Sequence, residues 1–181
     1  MVITTNEAHH VTVRRLGPED RKAATDVYER LTERDAYLRF FGSRPKKLGK
    51  LIGSLCLQDE GHCAVGAFVD GRMLGVANYV PPAGTVGVPV EVEFAIVVDH
   101  DEQLHGIGTL LLTRLTDEAR RHGIQQLRAE MLAENTVVLQ LLRDLGWSEA
   151  LRREGSHICL DLRLQDESTA VDELTDRGTT A

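Results

Sequence analysis

The most constraining feature of the sequence is a pair of glycines, Gly106 and Gly108, between an apolar segment and an amphipathic one. Residues 90–98 alternate apolar and polar at first and then become continuously apolar, which predicts a central, buried strand. Residues 107–121 repeat leucines at helical spacing, which predicts a helix. The glycines therefore fall at a helix N-terminus just after a central strand, where unpaired N–H groups and the helix dipole favour an anion.

The glycine loop does not match two common phosphate-binding motifs. A dinucleotide fingerprint would need a third glycine at position 111, which is Leu111. A Walker A loop would need a Gly-Lys-Ser/Thr ending, and lysine is absent from residues 99–121. Taken alone, the pattern fits either a different phosphate site or glycines that only permit a tight turn.

The remaining segments predict one mixed α/β domain. Asp70-Gly71 between two apolar runs is typical of a β-hairpin. Further strands are expected at 11–15, 62–69, 72–80, 126–132, 147–151 and 157–164, and further helices at about 19–31, 33–41, 47–55 and 135–145. We expect a mixed sheet of about six to seven strands flanked by helices over residues 11–164. Residues 1–10 are expected to be a flexible N-terminus and residues 165–181 a disordered acidic tail.

Composition and charge disfavour several classes of partner. The net charge of −7 disfavours a surface that tracks nucleic acid. No stretch approaches the roughly 18 apolar residues of a membrane-spanning helix, and the N-terminus lacks the pattern of a signal peptide. Cys56, Cys63 and Cys159 form no C-x-x-C pair, which favours reduced, buried thiols in a cytoplasmic protein. The histidines show no metal-site spacing, so no metal is expected.

Two motifs resemble those of the GNAT acyltransferase superfamily, and the resemblance extends over about residues 11–163. Residues 103–108, Gln-Leu-His-Gly-Ile-Gly, match that family's Q/R-x-x-G-x-G/A motif. Asn135 followed by Leu145-Gly146-Trp147 resembles its N-(x)9-L-G-F/W/Y segment. The resemblance implies a GNAT fold and a site for acetyl-CoA.

The resemblance also implies which residues hold that cofactor. Main-chain groups on the strand would pair with the pantetheine arm where this strand splays from its neighbour, and N–H groups of the loop would hold the pyrophosphate. Asn135 would bond the cofactor, cap the helix that it opens, or do both. His105 stands where many relatives carry arginine. The implied cofactor-binding residues are Ile96, Val97, Val98, Gln103, Leu104, His105, Gly106, Ile107, Gly108, Thr109 and Asn135.

Acetyl transfer to an amine requires removal of a proton, since an amine near pH 7 is almost entirely protonated. Glu91 and Glu93 share one face of the strand. Glu93 matches the position where related protein acetyltransferases carry their general base, so we expect it to be catalytic. The alternative is that either carboxylate only forms ion pairs on an exposed sheet face. Many relatives place a tyrosine where this chain has Leu142, so the resemblance assigns no general acid.

The acceptor is indicated by residues 31–42, LTERDAYLRFFG. This segment resembles the L-S-x-x-S-x-Y-x-R-F pattern of bacterial protein-lysine acetyltransferases, with Thr32 and Asp35 in place of the serines. The resemblance implies direct transfer to a protein lysine, with an acyl-CoA synthetase as one such protein partner. We expect Tyr37 and Phe40 to lie in the core. A small-molecule amine acetyltransferase and a noncatalytic acyl-CoA-binding sensor remain alternatives.

Overall fold

A computed structural model describes residues 2–4, 10–57, 59 and 61–164 of the chain. This part of the sequence forms eight strands, five α-helices and three short 3-10 helices. The strands are β1 (Val2–Thr4), β2 (His10–Arg15), β3 (Cys63–Val69), β4 (Arg72–Val80), β5 (Glu91–Val98), β6 (Gln126–Leu132), β7 (Leu151–Glu154) and β8 (His157–Arg163). The helices are α1 (Arg21–Glu29), α2 (Glu33–Phe40), α3 (Leu48–Leu55), α4 (Ile107–Arg121) and α5 (Thr136–Asp144).

The strands form a single mixed sheet in the order β1-β2-β3-β4-β5-β6-β8-β7. Neighbouring strands are antiparallel except β5 and β6, which run parallel. This arrangement confirms the expected α/β class with a mixed sheet. The added strand, β1, lies within the region expected to be a flexible N-terminus. Residues 5–9 and the predicted acidic tail over 165–181 lie outside the described residues.

Two apolar cores lie on opposite faces of the sheet. Leucines of α4 and α5, such as Leu111 and Leu142, pack on one face with Val92 and Phe94 of β5. Helices α1, α2 and α3 cover the other face, where Tyr28 of α1 packs near Val97. Because side chains alternate along a strand, Glu93, Ala95 and Val97 of β5 face α1–α3. None of the described helices is long and apolar enough to cross a membrane.

The loops explain where the predicted boundaries hold and where they fail. Asp70 and Gly71 both adopt positive φ, as a two-residue hairpin turn requires, and join β3 directly to β4. The strand expected at 147–151 is wrong, since β7 begins only at Leu151. Trp147 instead donates its N–H to the Leu142 carbonyl at 2.9 Å to close α5, and its ring packs edge-on against Phe94.

The three cysteines, Cys56, Cys63 and Cys159, are free thiols, as expected. Cys56 and Cys63 are buried, whereas Cys159 is only half-buried. Burial raises the pKa of the Cys63 thiol to about 11. This thiol is therefore protonated and inert at neutral pH.

Candidate active site

A cleft of about 1170 Å³ opens where β5 and β6 diverge. The two strands pair only from Glu91–Gln126 to Glu93–Arg128, and beyond this point no rung joins them. Strand β5 continues its pairing with β4 as far as Val98. One edge of β5 therefore stays open over its C-terminal half, as expected for a strand that splays from its neighbour.

Most of the predicted site residues lie together around this cleft. Helix α2 and the N-terminus of α5 form its other walls. His105 is exposed outside the lining, and the side chain of Ile107 is buried in the core, so these two residues offer only main-chain groups. The predicted residues that line the cleft are Glu93, Ile96, Val97, Val98, Gln103, Leu104, Gly106, Gly108, Thr109 and Asn135.

The open edge of β5 presents the main-chain groups of Ile96 and Val98. The N–H of Asp99 donates to the Leu74 carbonyl of β4 at 2.7 Å. Main-chain groups alternate sides along a strand, so those of Val97 also face β4, and those of Ile96 and Val98 face the other way. The Val98 carbonyl faces away from β4 as this alternation predicts, because it accepts a hydrogen bond from the Gln103 side chain at 3.4 Å. The main chain of Val97 is therefore paired within the sheet, and the open edge offers the main-chain groups of Ile96 and Val98.

The N-terminus of α4 offers unpaired N–H groups to the cleft. Gly106 is the N-cap residue, with φ +83°, and no side chain caps the helix. The first helical hydrogen bond runs from the Leu110 N–H to the Gly106 carbonyl at 3.1 Å, which leaves the N–H groups of residues 107–109 free of helical partners. The first turn contains no acidic side chain that would cancel the dipole. These features suit a phosphate.

The two glycines differ in their surroundings. A Cβ added to Gly106 would meet nothing within 4 Å, so a side chain there would enter the open space in front of the helix. A Cβ added to Gly108 would lie 2.8 Å from Cδ2 of Leu141 on α5. A clear path for phosphate at Gly106 remains a prediction. At Gly108 the absence of a side chain lets Leu141 of α5 pack closely against α4.

Charged side chains anchor β5 and the glycine loop, and sequence reasoning missed them. Asp99 Oδ2 accepts from Arg30 Nε at 2.9 Å and from Arg72 Nη2 at 2.7 Å. Burial alone would raise the pKa of Asp99, but the hydrogen bonds from Arg72 and Arg30 hold that pKa below its usual range. Asp99 therefore stays ionised and ties α1 and β4 to the end of β5.

Helix α2 is tied to the same loop through Asp35. The Asp35 carboxylate accepts from Gln103 Nε2 at 3.2 Å and lies 3.1 Å from His100 Nδ1. Asp35 Oδ2 also accepts a hydrogen bond from the Thr32 hydroxyl at 2.6 Å. The departure from the family pattern at Thr32 and Asp35 thus marks a contact between α2 and the loop, which the sequence alone could not indicate.

Asn135 caps α5 and also lines the cleft. Its Oδ1 accepts the Val138 N–H at 3.3 Å, which confirms the expected N-cap role. Its side chain is buried and its residue lies in the cleft wall. An amide also carries donor hydrogens, so a contact with a cofactor is compatible with the cap.

The two glutamates of β5 differ in their partners. Glu91 Oε1 accepts from Arg128 Nη1 at 2.6 Å, so Glu91 is held in an ion pair on the sheet face. Glu93 is exposed in the cleft at the point where β5 and β6 part. It makes no ion pair or side-chain hydrogen bond with any other described residue. Its carboxylate is therefore available to accept a proton.

The aromatic residues of α2 do not behave alike. Phe40 packs against the α1–α3 core, with its ring 6.2 Å from that of Tyr28, as expected. Tyr37 is 41% exposed, so the expectation that it lies in the core is wrong. The packed face of α2 is formed by Ala36 and Phe40, which lie four residues apart, and Tyr37, one residue after Ala36, lies outside this face.

A fold with a splayed central strand, an uncapped helix N-terminus and a free carboxylate between them agrees with the comparison with known families. The profile of the acetyltransferase (GNAT) family matches residues 17–147. The chain therefore belongs to the GNAT family.

One curated relative is similar to part of the chain. The chain is 37% identical to the ribosomal protein bS18-alanine N-acetyltransferase of Escherichia coli over 70 residues, which are 39% of this chain and 47% of that enzyme. The match thus spans about half the length of that curated relative.

Two solved structures share the fold. The GNAT domain of PAT from S. lividans superposes with a TM-score of 0.80 at 23% identity, covering 91% of this chain and 96% of that one. YncA, a putative acetyltransferase from Salmonella typhimurium with acetyl-CoA, superposes with a TM-score of 0.69 at 23% identity, covering 90% and 98%. These likenesses confirm the GNAT fold expected from the sequence.

Proposed function

We propose that the protein is an acetyl-CoA-dependent N-acetyltransferase that transfers the acetyl group directly to a protein lysine in a ternary complex. The observation that carries the proposal is a continuous path along the cleft. It runs from the free N–H groups at the start of α4, along the open edge of β5, to the unpaired Glu93. Family membership and the structure of YncA with acetyl-CoA support the same cofactor.

The residues of the cleft fit acetyl-CoA. The N–H groups from Leu104 to Thr109 would hold the pyrophosphate at the positive end of α4. The main-chain groups of Ile96 and Val98 would pair with the pantetheine amides in the manner of an added strand. Bound acetyl-CoA supplies an acetyl group activated as a thioester. Asn135, with its Oδ1 occupied by the helix, would offer its Nδ2 hydrogens to the same ligand.

Glu93 is proposed as the general base. A lysine amine with a pKa of about 10.4 arrives protonated and cannot attack a carbonyl until one proton is removed. Glu93 would accept this proton, directly or through water, at the end of the open edge. Leu142 is fully buried in the core, so the position where relatives carry tyrosine offers no acid here. The sulfur would leave without a side-chain donor from that position.

The acceptor is proposed to be a lysine on a protein surface, such as that of an acyl-CoA synthetase. The resemblance of residues 31–42 to protein-lysine acetyltransferases supports this acceptor. Charged side chains exposed at the rim of the cleft suit a protein partner, and Arg34 of α2 and Glu134, which both line the cleft, form an exposed ion pair at 3.0 Å. Phe41, 46% exposed, extends the same rim.

A second candidate acceptor is the α-amine of a protein N-terminus. It is favoured by the similarity to the Escherichia coli relative, an N-acetyltransferase for an alanine of ribosomal protein bS18. The two acceptors share the chemistry of a primary amine and differ in what surrounds it.

Two peptides test the proposal. The first contains a single lysine and a blocked N-terminus, and the second begins with free alanine and contains no lysine. Each is incubated with the protein and acetyl-CoA, and peptide acetylation is followed by mass spectrometry with thiol release in parallel. We expect faster acetylation of the lysine peptide. Acetylation of the alanine peptide alone would mean that the acceptor is the α-amine of a protein N-terminus and not a lysine. Calorimetric binding of acetyl-CoA without transfer to either peptide or to any amine in a lysate would indicate a sensor and refute the enzyme.

A further inference from the structure

One polar side chain in the cleft has no partner that explains its burial. Asn78 lies on β4, is 6% exposed and lines the cleft. Its Oδ1 is shielded from solvent and has no hydrogen-bond partner among the described residues. A buried amide oxygen without a partner is costly and uncommon in proteins. Such an atom beside a cleft is explained most simply by a donor that arrives with the ligand.

The position of Asn78 relates it directly to Glu93. Ala77 and Tyr79 face the α4–α5 core, so Asn78 faces α1–α3, as Glu93 does. Asn78 is paired with Ala95 across the sheet, and Glu93 is the next residue along the same face of β5. Diagonal neighbours of this kind lie about 7–8 Å apart. Ala95, opposite Asn78 and next to Glu93 on this face of β5, carries only a methyl group and leaves room for a small group beside them.

An attacking primary amine needs two acceptors in such a space. Glu93 first accepts the ammonium proton and leaves a neutral amine. The nitrogen then forms a bond to the thioester carbonyl carbon, the C–S bond breaks, and the second proton that the nitrogen loses passes to the leaving sulfur, which departs as a thiol. A second N–H remains on the nitrogen during attack, and a neutral amide oxygen can hold it without taking the proton. Holding this N–H directs the lone pair toward the acyl carbon.

We propose that Asn78 Oδ1 accepts a hydrogen bond from the acceptor amine and thereby positions a primary amine against the thioester. This inference rests on the proposed function, because it assigns a residue to the acceptor side of that reaction. It also gives a basis for selecting amines over alcohols, since a hydroxyl group has only one hydrogen to share between Glu93 and Asn78.

Two substitutions of Asn78 test the proposal. Asn78→Leu has a similar shape and removes the acceptor, whereas Asn78→Asp keeps an oxygen in the same place. Thr116→Val is a matched control, since Thr116 is a buried polar residue of α4 whose hydroxyl bonds only the Leu112 carbonyl at 2.7 Å. The probes are acetyl-CoA and the peptide that the wild-type protein acetylates.

We expect Asn78→Leu to lower kcat/KM for the peptide by about 10- to 100-fold, the loss of one hydrogen bond to a charged or reacting group. Its calorimetric affinity for acetyl-CoA should stay within about twofold of wild type, and its Tm should not fall, because an unpaired buried oxygen has been removed. Asn78→Asp should recover part of the peptide kcat/KM. Thr116→Val should change neither the affinity for acetyl-CoA nor the kcat/KM for the peptide.

Unchanged peptide kinetics in a folded Asn78→Leu variant would overturn the inference. Equal loss of acetyl-CoA affinity and peptide kcat/KM would also overturn it, because Asn78 would then serve the fold or the cofactor. A wild-type protein that binds acetyl-CoA but transfers to no amine would refute the proposed function itself, and the role of Asn78 with it.

Discussion

At the scale of single residues, Glu93 and Glu91 differ in their ion-pair and hydrogen-bond partners. Both carboxylates lie on the face of β5 that is turned toward α1–α3. Glu91 neutralises Arg128, whose guanidinium also lies 3.7 Å from Asp161. Glu93 stands at the last rung of the ladder to β6 and has no such partner among the described residues. A proton acceptor must have a free lone pair, so the two residues should respond differently to the same substitution.

Glu93→Gln preserves the shape of the side chain and removes its basicity. We expect kcat to fall by about 10²–10⁴-fold while the affinity for acetyl-CoA remains near that of wild type. Part of the loss should return as the pH is raised, because the neutral fraction of a lysine amine increases toward its pKa of about 10.4. Steady-state kinetics across pH with the lysine peptide and calorimetry with acetyl-CoA measure both quantities.

Glu91→Gln is the matched control on the same face of the same strand. It breaks the ion pair with Arg128 and should change kcat much less than Glu93→Gln does. If Glu93→Gln were fully active and Glu91→Gln inactive, the general base would be Glu91 and not Glu93. Full activity of both variants would mean that the amine loses its proton in solvent.

At the scale of elements, the N-terminus of α4 tests the cofactor assignment. Gly106→Val would place a β-branched side chain at φ +83° and in the open space before the helix. We expect the affinity for acetyl-CoA to fall by about 10- to 100-fold, since the phosphates would lose charge-assisted hydrogen bonds from the loop. Isothermal titration calorimetry gives the change directly.

The other end of the same helix supplies the control. Gly123 follows α4, has φ +73°, and a Cβ added there would also meet nothing within 4 Å. Gly123→Val should therefore impose a similar backbone strain and leave the affinity for acetyl-CoA unchanged. Equal affinities for the two folded variants would remove the α4 N-terminus from the proposed site.

A second element-scale prediction concerns the junction of β2 and α1. Asp20 is buried, accepts two hydrogen bonds of 2.7 Å from Arg14 and accepts the Gly17 N–H at 2.9 Å. The hydrogen bonds from Arg14 are the main reason why the pKa of Asp20 lies below its usual range. A carboxyl whose pKa is depressed by folding stabilises the native state above its unfolded pKa of about 3.9, and this stabilisation is lost as the pH falls toward the folded pKa.

Asp20→Asn should lower the free energy of unfolding by about 2 kcal/mol at pH 7, the contribution of hydrogen bonds to a charged group. The difference from wild type should shrink as the pH falls below about 4, because the wild-type carboxyl is then protonated too. Urea unfolding at several pH values measures this trend. Asp26→Asn, which breaks an exposed pair with Lys22 on α1, should change stability by only about 0.5 kcal/mol. A difference at Asp20 that is constant with pH would contradict the ion-pair account.

The elements themselves were largely predictable because their causes are local. The helix at 107–121 and the strands at 72–80 and 126–132 match the structure, since apolar periodicity and flanking glycines fix them within a few residues. The strand expected at 147–151 failed because Trp147 closes α5 and packs on Phe94, a contact that depends on a distant strand. Local patterns carry no information about such contacts.

At the scale of the whole molecule, the site depends on parts of the chain that meet only after folding. The sequence placed Glu93 and the glycine loop on consecutive elements, and the resemblance to a family joined them to one cofactor. Nothing in the sequence indicated that Asp35 ties α2 to the loop or that Asp99 ties β5 to α1 and β4. Asn78 could have been noticed as the one amide in an apolar strand, but its unpaired oxygen is visible only in three dimensions.

A crystal structure of the protein with acetyl-CoA bound would show directly whether the cleft beside β5 is the acetyl-CoA site. We expect the pyrophosphate on the N–H groups at the start of α4 and the pantetheine arm along Ile96 and Val98. We also expect the thioester in the gap between β5 and β6, beside Glu93. Acetyl-CoA bound away from this cleft, or bound there with its pyrophosphate remote from α4, would refute the proposed site.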